Sequence, residues 1–272
     1  MPMAQVNGVK LFYEESGTGV PLVLVHGSWA SHTNWRFVVP GLAESFRVVS
    51  YDRRGHSQSE HQPGQGSIRE DVADLAALIE HLDIAPAFVA ANSFGSSITL
   101  RLALERPDLL RGIVIHEPPL ISLIEGKPEY AAMIDETLRL EDAVVERINS
   151  GDHEGAAEQF ADTIALGPGA WAKFPPLVRQ VFTENAPTFA DEAADPDQYL
   201  LDAERLASFT KPALATQGDQ SPGFYAPILA EVTRYLPHAE TLTYHGAGHI
   251  PQTTHPDAYV ETVGSFIRKN EE

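Results

Sequence analysis

The sequence predicts an α/β protein with a mostly parallel central sheet, flanking helices and an inserted helical cap. Three observations carry this expectation. Short, continuously apolar runs recur along the chain, as strands buried on both faces require. Segments of helical periodicity separate most of them, which is the alternation of βαβ units. One stretch, 119–208, breaks that alternation and shows no strand pattern.

Taken in order, the chain opens on strands. Asn7-Gly8 between Ala4–Val6 and Val9–Glu14 is a two-residue hairpin signal, because both turn residues tolerate positive φ. Ser16 to Gly19 reads as a loop, and Pro21–Val25 as a short buried strand. Arg47–Tyr51, Ala87–Ala91, Gly112–His116, Ala213–Thr216 and Ala239–Tyr244 repeat that pattern. Ile68, Val72, Leu75, Leu78, Ile79 and Leu82 mark one helical face, with Ser67 as N-cap and Glu70 at the capping-box position. Further helices are expected over Ser96–Arg106, Pro222–Leu236 and Asp257–Lys269. Residues 119–208 read as several helices broken at Pro128, Gly151, Gly167 to Gly169, Pro175-Pro176, Pro187 and Pro196. The expected organisation is a core of 1–118 and 209–272 with a helical cap, or lid, at 119–208.

Composition narrows the functions. The 272 residues include no Cys, which removes disulfide scaffolds, Cys-ligated zinc, iron–sulfur clusters and a cysteine nucleophile. With 19 basic and 38 acidic side chains the net charge is −19, so nucleic acid and anionic membrane surfaces are not expected partners. The acids are uneven: 118–208 carries 6 basic and 18 acidic residues, net −12. A solvated helical surface is the plain reading of that excess, and an electrostatic filter against anionic substrates the sharper one. No apolar run approaches the roughly 18 residues of a membrane helix, and no signal peptide is visible, so a soluble cytoplasmic protein is expected.

The ends of the parallel strands are where such a sheet binds ligands. Ala91-Asn92-Ser93-Phe94-Gly95 lies where a strand turns into a helix. A nucleophile on so sharp a turn needs small residues two positions away on each side, and Ala91 and Gly95 supply them. His26-Gly27-Ser28-Trp29 ends the Pro21–Val25 strand, and the N–H groups of Ser28 and Phe94 are candidates for an oxyanion hole. Of 11 histidines, His249 is singled out by its place in Gly246-Ala247-Gly248-His249, a glycine-rich loop beyond the last strand.

His26-Gly27, Asp52 to Ser57, the Ser93 turn and Gly246 to His249, in that order and spacing, resemble the α/β-hydrolase superfamily over essentially the whole chain. The resemblance implies a Ser-His-acid triad and no cofactor. A serine at the turn argues against the haloalkane dehalogenase and epoxide hydrolase branches, which use Asp there. Family members commonly carry the acid three residues after a Gly beyond the strand that follows the cap. Here that position holds Ser221, and Asp219 lies two residues early. Some branches, the zearalenone lactonases among them, instead carry it after the strand preceding the cap, where this chain has His116-Glu117. Glu117 is therefore the preferred acid and Asp219 the alternative.

The expected activity is that of a serine esterase or lactonase, acting on a small-molecule ester or lactone through an acyl-enzyme. C–C bond hydrolases and haloperoxidase-like perhydrolases on the same triad remain alternatives, as does a non-catalytic ligand receptor on this fold. Trp29, His32 and Trp171 are candidate substrate-binding residues, and no cluster has metal-ligand spacing. Oligomeric state is not readable from the sequence.

Overall fold

The computed structural model describes residues 2–62 and 66–271. Eight strands form one sheet: β1 (Met3–Val6), β2 (Val9–Ser16), β3 (Val20–Val25), β4 (Phe46–Tyr51), β5 (Ala87–Asn92), β6 (Leu110–His116), β7 (Ala213–Gly218) and β8 (Glu240–Tyr244). Their spatial order is β1-β2-β4-β3-β5-β6-β7-β8. β1 and β2 form the antiparallel hairpin expected around Asn7-Gly8, β2 pairs antiparallel with β4, and the remaining pairs are parallel.

The helices are α1 (Val39–Leu42), α2 (Ile68–His81), α3 (Phe94–Glu105), α4 (Ala131–Asn149), α5 (His153–Phe160), α6 (Ala170–Lys173), α7 (Pro176–Ala194), α8 (Tyr225–Tyr235), α9 (Pro251–Thr254) and α10 (Pro256–Asn270). At α2 the Ser67 hydroxyl accepts from the Glu70 N–H at 3.3 Å, and Glu70 Oε2 accepts from the Ser67 N–H at 3.1 Å. That is the reciprocal capping box the sequence implied.

Strand alternation assigns the core. Val23, Val25, Val89, Ala91, Ile113 and Ile115 face one apolar cluster, and their neighbours Leu22, Leu24, Phe88, Ala90 and Val114 face a second one on the opposite side. Burial on both faces explains why these strands read as unbroken apolar runs.

Between β6 and β7 the described residues are helical or irregular, with α4, α5 and α7 packed on one another. One break expected there does not occur: α7 runs through Pro187. Proline costs the helix one hydrogen bond and strains the turn before it. Side-chain bonds hold that turn: Asn185 Nδ2 donates to the Trp29 and Ala30 carbonyls at 3.2 and 2.8 Å, and within the helix the Thr188 hydroxyl donates to the Asn185 carbonyl at 2.7 Å.

The backbones approach closely at Gly95, where a Cβ would lie 2.4 Å from the Val25 carbonyl oxygen and 2.7 Å from that of His26. α3 can start against β3 only without a side chain there. Gly95→Ala is therefore expected to destabilise the fold by about 1–3 kcal/mol or more through overpacking. Thermal unfolding checks this; an unchanged midpoint contradicts the close approach.

Candidate active site

β5 is flanked by β3 and β6, so the loops after all three strands converge. Ser93, between β5 and α3, has φ 57° and ψ −126°, outside the regions an L residue ordinarily occupies. Its neighbours hold it there. The Ser93 N–H donates to the His116 carbonyl at 2.8 Å, and the Ser96 hydroxyl bridges the His116 N–H (3.0 Å) and carbonyl (3.1 Å). Glu117, one position beyond β6, also has a positive φ, 46°.

The carboxylate bonded to His249 is that of Glu117. Its Oε2 accepts from His249 Nδ1 at 2.6 Å, and its Oε1 from the Gly218 N–H at 2.7 Å. His116 Nε2 lies 3.4 Å from the same Oε2. Glu117 is fully buried. Burial alone would raise its pKa, but the His116 and His249 rings beside it outweigh that and hold the carboxyl well below the usual carboxylate range. Burial also lowers the His116 pKa, so that ring stays neutral. Asp219 points elsewhere: its carboxylate oxygens bond His245 Nδ1 at 3.0 Å and the Gly246 N–H at 2.8 Å.

With Nδ1 donating to Glu117, His249 Nε2 is the acceptor nitrogen. Among the described residues its partner is the Tyr225 hydroxyl, at 3.1 Å, rather than Ser93. The two rings stack at 4.2 Å. Burial keeps the Tyr225 phenol neutral by pushing its pKa well above 10. Asn92 secures the His249 loop, its Nδ2 donating to the His249 carbonyl at 2.9 Å. Tyr225, Asn92, Ser96 and Thr216, whose hydroxyl lies 2.9 Å from His116 Nδ1, escaped the sequence reading. Only Asn92 and Ser96 carried a signal, as neighbours of Ser93.

The loop after β3 packs directly on Ser93: a Cβ on Gly27 would lie 2.8 Å from the Ser93 Cβ. Ser28 follows, and Phe94 opens α3, whose first N–H groups lack intrahelical acceptors. The Ser28 hydroxyl donates to Glu192 Oε2 of α7 at 2.5 Å. Glu192 Oε1 accepts from Arg53 Nη2 at 2.8 Å, and Arg53 also pairs with Asp71 of α2 at 2.6 Å. All three charged groups are buried, and the two carboxylates outweigh burial to keep Arg53 charged.

Two cavities meet at Ser28 and Ser93. The outer one touches His249 and is largely apolar, with Phe160, Leu166, Phe174 and Phe182 on its wall. The inner one is narrower and is lined by Phe94, Phe189 and Tyr225 and by the acids Glu141 and Glu192. The three side chains expected to bind substrate line neither cavity. Trp29 is buried behind the wall, stacked on Phe160 at 5.0 Å and 5.1 Å from Phe189. His32 Nδ1 bonds Asp52 at 2.7 Å beneath the β3 loop. Trp171 packs against Phe174 at 6.0 Å. Large aromatic side chains served packing at these positions.

His116, Glu117 and His249 are also the described residues whose ligand atoms cluster, all within 4.8 Å of one another. Two donors on one zinc, each about 2.0–2.1 Å from it, stand about 3.4 Å apart in a tetrahedral site. The 2.6 Å between Glu117 and His249 is instead the length of a charge-assisted hydrogen bond. No helix among the described residues is long and apolar enough to cross a membrane.

Residues 20–256 match the family model for the alpha/beta hydrolase fold. Over 98% of its length the chain is 30% identical to the dihydrolipoyllysine-residue acetyltransferase component of the acetoin cleaving system of Pseudomonas putida, covering 69% of that protein. It is 38% identical to 2-hydroxymuconate semialdehyde hydrolase of Pseudomonas sp. (strain CF600), over 40% of each chain, so the match spans less than half of that relative. Among solved structures, a thermophilic esterase from Thermogutta terrifontis superposes with a TM-score of 0.80 at 22% identity, over 100% of this chain and 99% of that one. Sheet order, the turn at Ser93 and these matches agree: the chain belongs to the alpha/beta hydrolase fold family.

Proposed function

We propose that this hydrolase is a serine esterase or lactonase of the cytoplasm, working through an acyl-enzyme without a cofactor. The observation that carries the reading is the buried 2.6 Å bond between Glu117 and His249, beside a serine held at φ 57°. In the cycle, Ser93 Oγ attacks the acyl carbon and its proton passes to His249 Nε2. Nε2 exchanges the Tyr225 hydroxyl for Ser93 as this begins; catalytic hydrogen bonds commonly tighten only when substrate is bound. Glu117 fixes the imidazole tautomer and stabilises the imidazolium. The N–H groups of Ser28 and Phe94 receive the oxyanion. His249 then gives the proton to the leaving alcohol, and water, activated by the same ring, releases the acid. Every proton moves between groups of the chain itself, substrate and water.

The helical stretch 119–208 acts in this reading as a cap over Ser93. Its Phe160, Phe174 and Phe182 share a cavity wall with the nucleophile and favour a neutral, apolar leaving group. C–C hydrolases and perhydrolases use the same three groups, so the first experiment is a screen of p-nitrophenyl esters and of lactones of several ring sizes.

Ser93→Ala should leave a folded protein with kcat lowered about 10⁴-fold or more. A fluorophosphonate should label Ser93, and a label elsewhere sinks the serine mechanism. Glu117→Gln should cut kcat by about 10³–10⁴-fold, whereas Asp219→Asn should cost little. The reverse pattern would make Asp219 the acid.

Glu117 also carries a stability signature. Its pKa is lowered in the folded state from an ordinary 4.5, so its contribution is complete above that value and is lost as pH falls below it. The stability difference between the wild type and Glu117→Gln should be flat above about pH 5 and shrink at more acid pH. Denaturant unfolding across pH 3–7 measures it; a gap that widens on acidification overturns the assigned charge state.

A further inference from the structure

The two cavities that meet at Ser93 differ in chemistry, and the difference assigns the halves of the substrate. His249 must reach the leaving oxygen to protonate it, so the alcohol half lies on the His249 side. His249 lines the outer cavity and not the inner one. The acyl half therefore extends into the inner cavity, past Phe94 and Tyr225.

The lining of that cavity is unusual for an acyl pocket. Glu141 of α4 is 9% exposed and lines it. Its Oε1 accepts from the Tyr199 hydroxyl at 2.5 Å. Its second oxygen has no hydrogen-bond partner among the described residues. That oxygen is not sealed inside the protein, so a ligand or water in the cavity can meet it. Burial pushes the Glu141 carboxyl up to about 7. Glu192, also in the lining, has its oxygens engaged by Ser28 and Arg53. The remaining lining includes Phe160, Ile164 and Phe189.

Resting on the serine-hydrolase reading above, we propose that the inner cavity selects an acyl group bearing a hydroxyl distal to the scissile carbonyl, with the free oxygen of Glu141 as its partner. A hydroxyl both donates and accepts, so it satisfies Glu141 ionised or protonated. A carboxylate at the same place meets two acids and no free cation. A methyl group leaves the Glu141 oxygen unpartnered.

The test uses p-nitrophenyl esters of ω-hydroxy acids of five to eight carbons. Each is compared with the ester carrying methyl in place of the hydroxyl and with the one carrying a carboxylate. At the chain length that spans the cavity, kcat/KM should favour the hydroxyl over the methyl by about 10–100-fold, the range for a buried hydrogen bond to a chargeable group. The carboxylate ester should be the poorest of the three. Glu141→Leu should bring the hydroxyl-to-methyl ratio close to one, and Glu141→Gln, whose amide also donates and accepts, should restore part of it. A wild-type ratio near one at every length overturns the assignment without any variant, as does a preference that survives Glu141→Leu. Ser93→Ala separates the two levels: hydrolysis that persists in it defeats the serine mechanism, whereas Ser93-dependent hydrolysis with no hydroxyl preference defeats only this inference.

Discussion

A fully buried carboxylate has to be hydrogen-bonded on both oxygens, and the ends of three strands are arranged around Glu117 to do that. β6 delivers the residue, β7 supplies the Gly218 N–H, and the loop after β8 supplies His249. Each demand constrains the next. The end of β7 and the 247–248 backbone must nearly touch: a Cβ on Gly218 would lie 2.3 Å from the Ala247 carbonyl oxygen. The Glu117 N–H is tied to the Thr216 carbonyl at 3.3 Å, and the preceding His116 carbonyl takes the Ser93 N–H. The strained turn at Ser93 and the buried acid are thus braced by one peptide unit. Neither could be shifted alone.

That linkage explains what was legible in the sequence. The turn at Ser93 was readable because its steric rule is local: small residues at 91 and 95 are needed whatever surrounds them. Strand positions were readable because burial on both faces leaves continuous apolar runs. The choice between Glu117 and Asp219 could be framed from spacing, but which carboxylate His249 meets depends on where the loop after β8 folds. Two residues of offset send Asp219 to His245 and Gly246. Tyr225 gave no local signal, since it opens α8 and reaches His249 only through tertiary packing. Trp29, His32 and Trp171 were credited to the site because they are near it in sequence or carry large rings. Depth relative to the cavity wall has no such signature.

The acidity of 118–208 also divides on inspection. Reading it as solvated surface fits residues such as Glu136, paired with Arg139 on the outside of α4. Glu141 and Glu192 are different, being buried against the inner cavity. Two acids of the surplus therefore act on whatever enters. With Arg53 already shared between Asp71 and Glu192, no Lys or Arg among the described residues lines that cavity to offset Glu141. In the proposed reading, the disfavouring of anions is thus local to that cavity rather than a property of the whole surface.

The same buried pairs limit how the site opens. Lifting the C-terminal half of α7 would separate Glu192 from Arg53 and Ser28, and Asn185 from the Trp29 and Ala30 carbonyls. Breaking one buried ion pair by removing a partner typically costs about 3–5 kcal/mol, and this half of the helix also carries neutral hydrogen bonds. The stretch from Leu166 to Val178 has no such anchor to the sheet. Its polar ties are internal, as where Asp162 accepts from the Gly169 and Trp171 N–H groups at 3.1 and 2.7 Å. Leu166, Phe174, Pro175 and Val178 from this stretch line the outer cavity. Motion that opens this cavity is therefore cheapest there, while the Ser28 loop stays clamped by α7.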